Sequence, residues 1–275
     1  MSLKNIFITA RRLFFVPVCA CCGERLSPFP EKGTYSHEKL CFCGDCNQKY
    51  HQAAVRECPS CLKNANQCIC FPEYFKKHQE IIPSVCFYEP DSSSAPTKAI
   101  LRMKKCRDAE LFEFFTEELY PKIDEYLSKK GISLSDCIVT WMPRKKSSLN
   151  KYGFDHGQVL AKHIADKLDL PIYRLFNRVG GREQKKLDRT ERSYNASKSI
   201  ILNEKMRGFS KADKRLGLTG FLADKHVIVI DDVITTGATF KRGVMLLKPL
   251  DPASITIACI AKTPKNIKKI PTAKD

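Results

Sequence analysis

Two groups of residues in this 275-residue chain have types and spacings suited to chemistry. The first is Val227–Phe240, VIVIDDVITTGATF, in which a β-branched run meets two carboxylates, Asp231 and Asp232. Thr235, Thr236, Gly237, Ala238 and Thr239 follow, where a helical pattern begins. Hydroxyls and free backbone N–H groups at a helix N-terminus suit a phosphate, with the helix dipole assisting. Gly237 lets the backbone approach such a ligand closely. Adjacent carboxylates at the C-terminal end of a parallel strand lie at the usual ligand crevice of open α/β sheets. They could accept hydrogen bonds from sugar hydroxyls or help hold a hydrated Mg²⁺. An ordinary strand–turn–helix with capping threonines would account for the loop. It leaves the acids unexplained, because charges beside a buried strand end require partners.

The second group is the cysteines. Ten of the 14 lie between Cys19 and Cys70, eight of them in four close pairs, Cys19 with Cys22, Cys43 with Cys46, Cys58 with Cys61, and Cys68 with Cys70, leaving Cys21 and Cys41 over. The first three pairs are Cys-x-x-Cys, a spacing that lets both sulfurs of one turn reach the same tetrahedral ion at about 2.3 Å. Eight cysteines offer ligands enough for two structural Zn²⁺ ions, so one or two are expected, and Gly23 and Gly44 suit the turns. Disulfides would need an oxidising compartment, to which nothing in the chain directs it. A redox pair would be expected once beside a βαβ pattern, not in series. An iron–sulfur cluster also uses four thiolates and fits the spacing. A closed four-cysteine site leaves no position for a substrate, so the role is structural. A segment this short and poor in large apolar residues needs such a staple.

The elements that must position these groups read as two modules, residues 1–75 and 80–265, with a basic tail at 266–275. The larger module alternates strand and helix patterns, the order of an α/β fold. Val227–Ile230 has the unbroken apolar character of a strand covered on both faces. Cys137–Met142 and Ser254–Ala261 are further strands, and Val159, Leu160, Ile164 and Leu168 recur at helical spacing. Glu89–Thr97 reads as a loop from its Pro, Ser and Asp content.

Lys and Arg exceed Asp and Glu by 17, spread along the chain, which favours polyanionic partners. Apolar residues make up 43%, enough for a core. No apolar run approaches the roughly 20 residues that span a bilayer. The apolar stretch from Ile6 to Val16 is broken by Arg11 and Arg12 and reads as an amphipathic helix rather than a signal peptide. A cytoplasmic location is expected.

The order of residues in Val227–Phe240 resembles the phosphoribosyl-diphosphate motif of type I phosphoribosyltransferases. That resemblance implies ribose hydroxyls at Asp231 and Asp232, and the 5′-phosphate in Thr235–Thr239. Trp141-Met142-Pro143-Arg144 stands where those enzymes have their pyrophosphate loop, so Arg144 and Lys145, with Lys146 and Lys151 nearby, are expected to face the pyrophosphate or a nucleic-acid backbone. Tyr152-Gly153-Phe154-Asp155-His156, the spaced Gln184, Leu187, Arg192 and Asn195, the segment Ala99–Lys104, and the opening Pro17 with Cys-x-x-Cys units are together similar to the ComF family. The polar stretch 177–193 matches the mobile loop that closes over the site in phosphoribosyltransferases. Tyr152, Asp155 and His156 depart from the Arg, Asn and Gln of that pattern. No role is assigned to His156 or His163, since lone histidines are more often structural.

The resemblance implies a type I phosphoribosyltransferase-like parallel sheet flanked by helices behind a zinc-ribbon module. It further implies binding of phosphoribosyl diphosphate with Mg²⁺ and handling of incoming single-stranded DNA during natural transformation, with a competence helicase as a further partner. The alternative expectation is an active transferase passing the phosphoribosyl group to a nucleobase or amine.

Overall fold

The computed structural model describes residues 16–27, 40–72, 74–75, 80–89, 93–179 and 199–264. The apolar lead-in at 6–15, the expected loop residues Gln184, Arg192 and Asn195, and the basic tail lie outside them.

In chain order the main elements are α1 (Gly44–Ala54), β1 (Glu80–Ile81), β2 (Cys86–Phe87), α2 (Ala95–Lys105), α3 (Ala109–Lys129), β3 (Cys137–Trp141), α4 (Lys146–Tyr152) and α5 (His156–Leu168). There follow β4 (Phe176–Arg178), β5 (Ile200–Leu202), α6 (Lys211–Leu222), β6 (His226–Ile234), α7 (Ala238–Leu247) and β7 (Ser254–Lys262). The central sheet has five strands in the order β1–β7–β6–β3, with β2 also on β7, and every pairing is parallel. β4 and β5 form a separate antiparallel pair.

The sequence of β6 explains its central place. Side chains alternate across a strand, and Ile228 and Ile230 join one core while Val227 and Val229 join another on the opposite face. β7 divides the same way, with Ala258 and Ile260 on one side and Ile257 and Cys259 on the other. Phe112, Phe114 and Phe115 of α3 and Leu160 and Ile164 of α5 fill the first core. Phe221 of α6 and Phe240 and Val244 of α7 fill the second. A buried side chain of this size contributes about 1.5–3 kcal/mol, so the two layers hold the sheet firmly between them.

Two local differences from the sequence reading have simple causes. β6 does not stop before the acids but runs through Asp231 and Asp232 to Ile234, because β7 continues alongside it to Lys262. The segment read as a loop up to Thr97 becomes helical at Ala95, since Pro96 suits the first turn and Ala95, Pro96 and Thr97 are buried there.

The cysteine-rich segment shares these cores. Phe42 and Tyr50 pack on Phe114 of α3, with ring centroids 5.1 and 5.2 Å apart. Among the described residues no helix is long and apolar enough to cross a membrane.

Candidate ligand site and cysteine centres

The C-terminal half of β6 delivers Asp231 and Asp232 to one end of the sheet. Asp232 is only 5% exposed, a position that an unpaired carboxylate would not tolerate. Its Oδ2 lies 3.1 Å from Lys104 Nζ, at the end of α2, and 2.5 Å from His156 Nε2, the first residue of α5. Burial alone would raise the Asp232 pKa, but these two neighbours hold it below the ordinary carboxylate range. Asp231 behaves oppositely. Burial and the charge of Asp232 raise its pKa well above the ordinary value, although the Asp232 N–H donates to its Oδ1 at 2.9 Å. One carboxylate is therefore charged and already paired, and the other tends to keep its proton. Lys104, although desolvated, stays charged because Asp232 raises its pKa.

β6 then turns into the threonine loop. Gly237 has φ +74° and caps α7, and a Cβ there would lie 2.3 Å from the ring of Phe75 and 3.2 Å from Pro72. Only glycine fits both the dihedral and the contact. Thr235 and Thr236 are exposed, Ala238 and Thr239 half-buried, and the Ala238 N–H donates to Thr236 Oγ1 at 3.4 Å. The first N–H groups of α7 have no intrahelical partner by geometry, so the loop and helix end can take an anion.

The loop after β3 is tied in by Asp155. Its carboxylate accepts from the N–H groups of Gly157 and Gln158 as N-cap of α5, and from the Arg144 N–H at 3.0 Å. The Arg144 guanidinium donates to the carbonyls of Phe154 and Lys104 and lies 4.5 Å from the centre of the Tyr152 ring. Tyr152 thus serves as the stacking surface for Arg144. Lys145 is exposed at the start of α4. Arg178 of β4 donates to the Pro143 carbonyl at 3.1 Å and to Ser199 Oγ at 3.1 Å. Burial lowers its pKa, against the opposing charges of Asp231 and Asp155. Lys104, Asp155, His156 and Arg178 were not among the expected site residues. His156 follows Asp155 directly, and only its approach to Asp232 marks it.

Residues 155–273, a little under half of the chain, match the family model of the phosphoribosyl transferase domain. The chain carries a phosphoribosyltransferase-type domain. The parallel sheet flanked by helices, with the threonine loop at the end of a central strand, is the fold expected of it. Two similar solved structures are a purine phosphoribosyltransferase from Pyrococcus horikoshii Ot3 and a hypoxanthine phosphoribosyltransferase from Staphylococcus aureus. The first is 21% identical, covers 56% of this chain and 73% of that one, and has a TM-score of 0.34. The second is 15% identical, covers 55% and 74%, and has a TM-score of 0.31. Comparison with curated proteins found no match.

The eight paired cysteines gather into two sets, a grouping the spacing had left open. In Cys19, Cys22, Cys43 and Cys46, and again in Cys58, Cys61, Cys68 and Cys70, the sulfurs lie within 4.8 Å of one another. Cys22 and Cys43 sulfurs are 3.7 Å apart and those of Cys61 and Cys68 3.5 Å. A tetrahedron with arms of about 2.3 Å has edges near 3.8 Å, so both sets could bind zinc. Burial pushes the thiols of Cys46 and Cys70 up to about 12, whereas Cys19, despite burial, falls to about 7 through its hydrogen bonds from the turn. Crowding thiols where charge is unfavourable is stable chiefly when a cation replaces their protons.

The two knuckles are built alike. Gly23 N–H donates to the Cys19 carbonyl with φ +80°, and Leu62 N–H donates to the Cys58 carbonyl with φ +57°. Leu62 thus takes the left-handed position that Gly23 takes in the first knuckle. Gly44 needs no such freedom: it is the first residue of α1, with Cys43 as N-cap. Cys21 and Cys41, left over from the pairing, lie outside both sets, and Cys21 Sγ donates to the Ala95 carbonyl at 3.3 Å.

Proposed function

We propose that this protein binds phosphoribosyl diphosphate with Mg²⁺ at the end of β6 and, as a ComF-like protein, handles single-stranded DNA. The observation that carries the first part is the placement of Asp231, Asp232 and the Thr235–Thr239 loop on one strand end. Carboxylates for sugar hydroxyls and a helix N-terminus for a phosphate stand there in chain order. Asp231 is the acid left to meet a ribose hydroxyl, since Asp232 is held by Lys104 and His156. Arg178 interacts electrostatically with Asp231, and Arg144 and Lys145, on the loop after β3, are proposed to face the diphosphate. Carboxylate donors for the ion are present in the group His156, Asp231 and Asp232, whose ligand atoms lie within 4.8 Å of one another. When bound, Mg²⁺ would supply charge to offset the diphosphate. Gln184, Arg192 and Asn195 are proposed to close over the bound ligand.

The DNA-handling part rests on the family resemblance and on the excess of 17 positive charges. Zinc in the two cysteine sets is structural on this reading, the chain works in the cytoplasm, and a helicase is a further partner.

Calorimetric titration of zinc-analysed protein tests both parts. Phosphoribosyl diphosphate with Mg²⁺ should bind, and the Asp231→Asn, Asp232→Asn double variant should bind at least tenfold more weakly. A short single-stranded oligonucleotide should bind with an affinity that falls steeply with salt, with a log–log slope of about −0.7 per phosphate contacted. Unchanged diphosphate affinity in the double variant would overturn the site. Diphosphate binding without oligonucleotide binding would move the reading to a transferase. There an acceptor nitrogen forms the new bond to C1 of the ribose, the C1–oxygen bond breaks, and pyrophosphate leaves with the electron pair.

A further inference from the structure

Phe71, Pro72, Tyr74 and Phe75, just after the last cysteine of the second set, connect that centre to the threonine loop. Three contacts make the connection. Lys262, the last residue of β7, is 1% exposed and donates its ammonium to the carbonyl of Cys68. Its Nζ lies 4.3 Å from the centre of the Phe71 ring and 5.9 Å from that of Phe87. Lys262 is also the cross-strand partner of Ile234, the residue just before Thr235, and the Thr263 N–H donates to the Ile234 carbonyl at 2.8 Å. Second, Pro72 and the buried ring of Phe75 cover Gly237, as the 3.2 and 2.3 Å approaches to a Cβ there show. Third, Lys241 Nζ of α7 stands 4.9 Å from the centre of the Tyr74 ring, and the Lys241 N–H donates to the Gly237 carbonyl.

A lysine buried this deeply needs compensation for its lost hydration. The Cys68 carbonyl and two aromatic faces supply part of it. Four thiolates around a divalent cation carry a net charge of minus two, so a zinc-loaded second centre would supply the rest. Among the described residues the first centre meets the sheet domain elsewhere, through Phe42 and Tyr50 on α3 and Cys21 on the Ala95 carbonyl of α2, away from the threonine loop.

We propose that Phe75 and Lys262 are positioning residues through which the second cysteine centre, and not the first, shapes the Thr235–Thr239 loop for its phosphate. The proposal rests on the reading that this loop binds the phosphate of phosphoribosyl diphosphate. On this view loss of metal at Cys58, Cys61, Cys68 and Cys70 frees the Cys68 carbonyl, Lys262 loses its anchor, and Pro72 and Phe75 lift from Gly237.

The test uses the full chain, with zinc content, melting temperature and affinity for phosphoribosyl diphosphate with Mg²⁺ measured on each variant well below its melting point. Cys70→Ser should lose one zinc and bind the diphosphate about tenfold more weakly. Cys22→Ser should also lose one zinc but bind within about twofold of the parent. Phe75→Ala should keep full zinc and weaken binding about tenfold, with Phe75→Tyr restoring most of it. Where Cys70→Ser gives no soluble protein, Lys262→Met, which leaves all eight thiols in place, should show the same weakening. Parent-like affinity in a Cys70→Ser protein lacking its zinc would overturn the proposal, as would equal weakening in Cys22→Ser. If the parent itself fails to bind, the functional reading fails. The coupling is then read separately by hydrogen exchange of the amides of residues 235–241, which should accelerate in Cys70→Ser and not in Cys22→Ser. Unchanged exchange would refute the coupling.

Discussion

Asp231 and Asp232 are neighbours with opposite electrostatic circumstances, and this yields predictions of opposite sign. Asp231 has its folded pKa raised by burial and by Asp232. The folded state then holds that proton more tightly than the unfolded chain, so its contribution is full below the ordinary aspartate pKa of about 3.9 and is lost as pH rises through the folded value. Asp231→Asn should therefore raise the melting temperature by a few degrees at pH 8, with the gain shrinking toward pH 4, while ligand affinity falls. Differential scanning calorimetry at the two pH values checks it. Asp232 has a lowered folded pKa, so its contribution is present above the ordinary pKa and is lost as pH falls toward the folded one. Asp232→Asn should cost about 2 kcal/mol at pH 7 by leaving Lys104 without its anion, seen as a lower urea midpoint. Gly237→Ala should be worse than a surface change. The added methyl meets Phe75 and the left-handed dihedral disfavours it, so a loss of about 2 kcal/mol in a urea melt and a weakened diphosphate affinity are expected.

At the scale of elements, Asp155 is the joint between the β3–α4 loop and α5. One carboxylate caps α5 and holds the Arg144 N–H. Asp155→Ala should cost about 1–2 kcal/mol in a chemical melt and reduce diphosphate affinity, because the loop carrying Arg144 and Lys145 loses its tether. Asp155→Asn, which keeps an acceptor, should recover most of the stability. β6 shows how much of an element its sequence conveys. The VIVI run marked a strand covered on both faces, and alternation of its side chains between two cores is that strand realised. Its extension through both acids could not be read from the run, since charged residues look like an ending. Pairing with β7 as far as Lys262 carries it on.

For the whole molecule, the arrangement of sulfurs predicts about two zinc ions per chain in protein purified without chelator. Cys43→Ser should retain about one and melt at a lower temperature, as metal analysis with a thermal scan would show. A Cys43→Ser protein with full metal content and parent stability would remove Cys43 from the first set. The two modules read at residues 1–75 and 80–265 also touch each other. The first set packs through Phe42 and Tyr50 on α3, and the second reaches the sheet through Lys262 and Phe75.

The sequence by itself determined those features whose signals are local. Cys-x-x-Cys turns bring two thiols together because the turn is short. A β-branched run followed by Asp-Asp and a threonine–glycine helix start specifies strand, acids and phosphate loop within 14 residues. Which pairs share a centre was left open by the spacing, and the folded chain decides it by bringing consecutive pairs together. Only the tertiary structure decided what crosses the fold. His156 and Lys104 converge on Asp232 from elements 76 and 128 residues before it, and their spacing in sequence carries no trace of that. Leu62 carries no sequence mark of a left-handed turn, because the glycine that signals it at Gly23 is absent. Lys262 at a strand end reads as a solvated charge until the Cys68 carbonyl and two rings are seen to enclose it. The physical reason is the same in each case. Propensity and spacing act over a few residues, whereas burial and charge compensation are set by whichever distant groups the packed sheet brings together.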